Sequence, residues 1–249
     1  MQSETVQPTT EVECEGRRLV FCTPNRMTAW RAQSLFQKEP DTVRWILGFE
    51  PGARFLDVGA NVGVYSILAG VARQARVAAF EPESQNYALL NQNIHANALA
   101  GSVLAYCASL SDRAGASLLY LSRFEAGVSC HSLGAEVGFD LAPRRAAFAQ
   151  GTFGYRVDDL VAQGALEVPQ HIKIDVDGFE HKVVAGARAT LARPEVRSVL
   201  IEINHNLEEH LDLVDEMGAL GYRHDPAQVA RAERKSGIFK GQAEYVFSR

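Results

Sequence analysis

At 249 residues, 47% of them hydrophobic and 22% charged, the chain has room for one soluble α/β domain around a sizeable core. Its net charge of -5 and pI near 5.8 offer no electrostatic footprint for nucleic acid or an anionic membrane, so both are disfavoured as partners. Cys14, Cys22, Cys107 and Cys130 are scattered without a C-x-x-C pair, which signals neither a zinc site nor a disulfide framework, and free thiols are expected.

Residues 1–16 are polar and are expected to form a loose arm before a strand over 18–22. They lack the basic and apolar regions of a leader peptide, and no run of about 18 apolar residues follows. A cytoplasmic protein without a membrane span is therefore expected. Helical spacing over 28–36 and 42–49, broken at Pro40-Asp41 with Asp41 as N-cap, predicts two helices over a ligand entrance. Pro51-Gly52 then turns the chain into its organising stretch, Arg54 to Gly70. There a short apolar strand passes Asp57, a loop runs from Gly59 to Gly63, and a buried helix follows. Gly59 and Gly63 permit left-handed backbone and close approach of a ligand, while the helix N-terminus offers free N–H groups. The run Gly59-Ala60-Asn61-Val62-Gly63 lacks the G-x-G-x-x-G spacing of a dinucleotide fingerprint. The Asp57 carboxylate would repel a phosphate and attract a cationic or hydroxyl-rich ligand.

A second strand over 76–80 ends in Glu81-Pro82 before a helix over 84–96. Glu81 stands where an acid can accept hydrogen bonds from ribose hydroxyls; the alternative is an acid that complements the helix dipole. A third strand over 103–109 puts Ser109, and then Leu110-Ser111-Asp112, where adenine lies in a doubly wound sheet. Residues 115–156 change to short β segments with glycine-rich turns, an antiparallel insertion expected to form a lid. Its Ser129, His131 and Ser132 face either an acceptor or solvent. Asp158 is positioned to N-cap a short helix. His171 to Asp175 forms a strand running into Val176-Asp177-Gly178-Phe179-Glu180 and a helix to Arg193. The strand over 198–203 leads to Asn204-His205-Asn206, a helix over 207–220, and two closing strands. An open parallel sheet binds ligands at the carboxyl ends of its strands, which gathers Asp57, Glu81, Asp175, Glu202 and Asn204 along one edge.

The pattern Asp57-x-Gly59-x-x-x-Gly63 resembles motif I of class I S-adenosylmethionine (SAM) methyltransferases. With FEPESQNYALLNQNIHAN, ASLSDRAG, VDDL, IKIDVDGFEHKVVAGA and VLIEIN in that order, the chain from about Glu39 to Asn204 resembles the FkbM family of these enzymes. The family's distinguishing element stands here as Ile174 to Glu180, with Asp177 where glutamate is commoner. The resemblance implies a doubly wound, mostly parallel seven-stranded α/β sheet of class I methyltransferase type with a small antiparallel β insertion. Residues 1–50 are then an N-terminal arm with lid helices and 51–249 a single Rossmann-like domain. It also implies SAM as donor and a hydroxyl acceptor on a sugar, glycan, polyketide or similar small metabolite. By position it carries Asp57, Gly59, Asn61, Gly63 and Glu81 over as cofactor contacts, with Ser109 beside them.

Methyl transfer requires the acceptor oxygen in line with the sulfonium methyl group, and removal of a proton. Asp175, or the neighbouring Asp177 or Glu202, is expected to serve as base or acceptor anchor; His205 is either an alternative base or structural. The oxygens of Asp175, Asp177 and Glu202 could also hold Mg2+ against a substrate diol. Glu180 is expected to be solvated or to pair with Lys182 or Lys173. Two other readings suit the same layers: a nucleotide-binding oxidoreductase, and a non-catalytic SAM-binding interaction module.

Overall fold

A computed structural model describes residues 7–249. β1 (Thr9–Cys14) and β2 (Arg17–Cys22) pair antiparallel through a turn at Glu15-Gly16, both at positive φ. Residues 9–14 of the expected loose arm are thus a strand, because the alternation in TTEVEC turns Val12 and Cys14 inward; residues 1–6 lie outside the described residues. Phe21 and Leu19 are fully buried, and burial of such a side chain contributes about 2–3 kcal/mol. α1 (Arg26–Gln33), α2 (Leu35–Lys38) and α3 (Pro40–Leu47) are three short helices in place of the two expected. Asn25 caps α1 through the Thr28 N–H, and Pro40 opens α3, which puts Asp41 inside the first turn rather than at the cap.

The central unit then alternates: β3 (Arg54–Val58), α4 (Val64–Arg73), β4 (Arg76–Phe80), α5 (Ser84–Ala96) and β5 (Val103–Tyr106). A second sheet follows from β6 (Ser109–Leu110), β7 (Gly115–Leu121), β8 (Ser132–Leu133) and β9 (Phe148–Tyr155). The chain returns through α6 (Val157–Ala162), β10 (His171–Ile174), α7 (Glu180–Ala185), α8 (Arg188–Leu191), β11 (Ser198–Asn204) and α9 (Glu208–Ala219). It closes with β12 (Arg223–His224), α10 (Pro226–Ala232) and β13 (Gln242–Ser248).

Seven strands form the main sheet in the order β12-β13-β11-β10-β3-β4-β5, parallel except where β13 meets its two neighbours. This is the doubly wound α/β architecture expected, and β10 and β11 are buried along their whole lengths because helices cover both faces. The order reverses between β3 and β10, which opens a crevice at their carboxyl ends. The insertion sheet runs β6-β9-β7-β8 and is not wholly antiparallel: β6 pairs parallel with β9, so Ser109 belongs to this sheet and not to β5. The helix expected to reach Arg193 breaks into α7 and α8 at Gly186, where a Cβ would fall 2.0 Å from the Ser111 carbonyl oxygen. Asp158 does not cap its own helix; it accepts the Ala189 and Thr190 N–H groups and so caps α8. Among the described residues no helix is long and apolar enough to cross a membrane.

Candidate active site

A cavity of about 670 Å³ occupies the crevice. Gly59 and Asn61 reach it from the β3–α4 loop, Glu81 from the end of β4, Ser109 from β6, Asp175 and Asp177 from the β10–α7 loop, and Glu202 from β11. Ser129 and His131 line it too, whereas Ser132 is buried against the Ala135 carbonyl.

Gly59 is at φ +79°, and a Cβ there would lie 1.9 Å from the Asp175 carbonyl oxygen, so only glycine lets the two loops touch. Gly63 does not line the cavity; its missing side chain makes room for Leu90. Asn61 donates its N–H to Glu81 Oε2 at 2.8 Å, and Glu81 Oε1 takes the Glu83 N–H at 2.8 Å. Burial pushes the Glu81 carboxyl up to about 7. Asp57 stands behind the loop and not in the cavity. It is fully buried, accepts the Ser66 hydroxyl at 2.6 Å, and lies 3.6 Å from Lys173 Nζ. Any influence it has on a ligand passes through that ammonium.

Lys173, itself buried, sits 3.0 Å from Asp175. Burial works to raise the Asp175 carboxyl, but the ammoniums of Lys173 and Lys38 outweigh it and hold the group ionised below its usual range. Glu202 goes the other way. Burial and the Asp175 charge drive it well up, against the opposing Arg234 guanidinium 2.7 Å away. Asp177 is at φ +56°, a left-handed conformation that aspartate tolerates better than glutamate, and its Oδ2 accepts the Cys130 N–H at 2.7 Å. Burial and then the Asp175 charge raise it to about 6.

Two expectations are corrected here. Glu180 is completely buried and pairs with neither lysine; it accepts the Val176 and Gly178 N–H groups at 2.7 and 3.0 Å and so holds the turn that presents Asp177. His210 approaches Glu180 at 3.2 Å, but burial pushes its imidazole down to about 4, so the contact is not an ion pair. His205 shares a hydrogen bond with the Tyr245 hydroxyl at 2.9 Å and does not line the cavity.

The carboxylate oxygens that converge are those of Asp175, Glu180 and Glu202, within 4.8 Å of one another, with Asp177 turned toward Cys130 instead. Asp175 faces Lys173, Glu202 faces Arg234 and Glu180 takes two backbone N–H groups. Their charges are already answered by protein donors, so the set does not fit a hard divalent cation.

The roof of the cavity was not legible in the sequence. Residues 126–130, between β7 and β8, are fastened by Asn25 to the Ala126 carbonyl, by Arg31 to the Gly127 carbonyl, and by Asn61 and Asn86 to the Val128 carbonyl. Asn86 also accepts the Gly127 N–H at 2.7 Å. Each contact joins residues more than 40 positions apart, which no local pattern can signal. Lys173 was the one missed residue with a signal: a lysine inside the buried strand HIKID needs a carboxylate partner.

The Methyltransferase FkbM domain matches residues 57–224, more than half of the chain. The chain belongs to the FkbM methyltransferase family. Of its FkbM relatives, the hexuronic acid methyltransferase AglP of Haloferax volcanii is 27% identical over 79% of this chain and 74% of its own length. The 31-O-demethyl-FK506 methyltransferase FkbM of Streptomyces tacrolimicus is 28% identical over 62% of this chain and 66% of its own length. Among solved structures, precorrin-6y C5,15-methyltransferase of Geobacter metallireducens aligns loosely, with a TM-score of 0.48 and 11% identity over 84% of this chain and 86% of that one.

The raised acids of this FkbM site set a pH dependence. Glu81 and Glu180 titrate near 7 and 8 when folded and near the ordinary carboxylate value when unfolded. The unfolded chain therefore releases protons first, and stability is lost as pH rises through that window. The buried His131, His171 and His210, whose imidazoles burial pushes down to about 4, oppose this, since near pH 6 only the unfolded chain charges them. The ligand-free protein should still lose about 1–3 kcal/mol between pH 6 and 8.5, read as a melting point lower by roughly 2–12 °C. A melting point that rises over this range would show that the acids do not outweigh the histidines.

Proposed function

We propose that this chain transfers the methyl group of SAM to a hydroxyl oxygen of a sugar, glycan or secondary metabolite. The observation that carries this reading is one cavity in which the Gly59–Asn61 turn and Glu81 meet the acids Asp175, Asp177 and Glu202. A sulfonium is a cation, and this acidic floor suits it as it would not suit a pyrophosphate. Relatives named for a hexuronic acid and for 31-O-demethyl-FK506 support an oxygen acceptor.

On the donor side, Glu81 would receive the ribose hydroxyls on its remaining lone pairs. The buried Ser109 hydroxyl, which has no partner among the described residues, would meet the adenine. A smaller recess of about 40 Å³ beside Gly59–Asn61 is lined by Arg31, Ser34, Lys38 and Asp175, and the buried Ser34 hydroxyl likewise has no partner among the described residues. It suits the donor's amino-acid end, with its carboxylate toward Arg31 and Lys38. Arg31→Gln is then expected to weaken binding of S-adenosylhomocysteine about tenfold and to leave methylthioadenosine, which lacks the amino-acid end, unaffected. Equal weakening of both would place the amino-acid end elsewhere.

On the acceptor side, Asp177 has the protonation behaviour of a general base near neutrality, while Asp175, held ionised, orients the hydroxyl. The acceptor proton passes to Asp177 as the new O–C bond forms and the S–C bond breaks, which leaves S-adenosylhomocysteine and a methyl ether. Calorimetric titration with SAM, followed by label transfer from methyl-labelled SAM to a panel of hydroxylated acceptors, tests the assignment. Tight binding of NAD with none of SAM would replace it with the oxidoreductase reading.

A further inference from the structure

The cavity is lined by the acids Glu81, Asp175, Asp177 and Glu202 and by the cations Arg31, Lys38, Arg123, Arg144 and Arg234, of which Arg123 and Arg144 stand at its exposed edge. Most of these cations are engaged: Arg31 with the Gly127 carbonyl, Lys38 with Glu39, and Arg123 with Glu125. Arg144 is the cavity-lining arginine whose side chain has no partner among the described residues.

Arg144 is nonetheless held in place. Its N–H donates to the Glu136 carbonyl at 3.2 Å, Gly138 donates to Ala142 at 2.9 Å, and Val137 bridges Pro143, so residues 136–144 form a closed loop. Its aliphatic stem passes over Gly138, where a Cβ would come within 3.5 Å of it. The same loop rests on the catalytic turn, since a Cβ on Gly178 would lie 2.8 Å from the Phe139 carbonyl oxygen. Beside Arg144 the rim is apolar and partly aromatic. Phe139 and Phe239 pack with ring centroids 4.8 Å apart, and Trp30 and Ile238 are 46% and 75% exposed. Such faces cover a sugar ring or another compact scaffold, and a guanidinium fork beside them matches a carboxylate or phosphate.

We propose that the acceptor carries a permanent oxyanion, a carboxylate or a phosphate, set back from the hydroxyl that is methylated, and that Arg144 reads it. The inference rests on the methyltransferase reading above. The charge belongs at the rim because an anion at the reacting centre would face the ionised Asp175 and the deprotonated Asp177, and like charges repel. A hydroxyl there gives its proton to Asp177. Arg144 is thus a specificity-determining residue that takes no part in the chemical step.

The test uses the full chain saturated with S-adenosylhomocysteine and titrated with 4-nitrophenyl β-D-glucuronide, 4-nitrophenyl β-D-glucoside and 4-nitrophenyl phosphate. At least one of the two anions should bind tenfold or more tightly than the glucoside, and the advantage should shrink as salt is raised. Whichever anion binds more tightly identifies the group as carboxylate or phosphate. Arg144→Gln should erase the advantage without changing the melting point or the affinity for S-adenosylhomocysteine, and Arg144→Lys should restore part of it. Equal binding of anions and glucoside, no detectable binding of either anion, or an advantage that survives in Arg144→Gln overturns the proposal. Failure of the protein to bind S-adenosylhomocysteine would sink the methyltransferase reading itself, a separate result.

Discussion

Lys173→Met should destabilise the protein by about 3–5 kcal/mol, since it strips the countercharge from buried acids while nearly preserving volume. The Lys173 ammonium is 3.0 Å from Asp175 and 3.6 Å from Asp57, and it also lies over the Tyr65 ring, 5.5 Å from its centroid. Without it, fully buried Asp57 keeps, among the described residues, only the Ser66 hydroxyl as a donor. Burial already raises the Asp57 carboxyl, with Lys173 as the largest opposing influence, so the variant should fold with that group protonated. A folded-state value further above the unfolded one means that the deficit grows with pH. Melting points at pH 5.5 and 8.5 should fall by roughly 6–20 °C, with the larger fall at 8.5. Lys173→Met combined with Asp57→Asn should recover part of the loss. An unchanged melting point in the single variant would show that the three groups do not share charge as their distances indicate.

Asp177→Asn should lower the turnover of methyl transfer by about 100- to 10,000-fold while SAM still binds. The amide keeps the size of the side chain and can still accept the Cys130 N–H, so the turn held by Glu180 should survive. What disappears is the group proposed to take the proton. Since Asp177 titrates near 6 and acts deprotonated, wild-type kcat/KM should fall as pH drops below about 6, with the fall absent from the variant's residual rate. Asp175→Asn tests the division of labour. It should chiefly raise the acceptor KM, because Asp175 is already ionised across the working range and paired with Lys173. A loss of turnover confined to Asp175→Asn would reverse the two roles.

Lys173 joins β10 to the Asp57 of β3 across the point where the sheet order reverses. The crevice there brings one carboxylate that needs burial and another that needs access to substrate beside the same ammonium. Asp57 serves the fold and Asp175 the site, although both stand at the carboxyl edge where sequence position alone makes them look alike. Their difference is one of depth: Asp57 pairs in register with Lys173, so Asp175, two residues on, projects from the same face one step nearer the edge, while the packing of α4, through Ser66, claims Asp57.

By themselves, the residues of this chain determined the layer architecture, the loop from Gly59 to Gly63 and the gathering of Glu81, Asp175, Asp177 and Glu202 at one edge. These follow from apolar periodicity and from loop residues next to strand ends, information that lies within about ten positions of each site. Tertiary packing alone decided that Ser66 claims Asp57 and Tyr245 claims His205, that Glu180 braces the turn before it, and that residues 126–130 roof the cavity. It also set which acids are ionised. A carboxyl's protonation depends on its burial and on the charges a few ångströms away, and here the decisive ones come from Lys38, Lys173 and Arg234, which folding brings together.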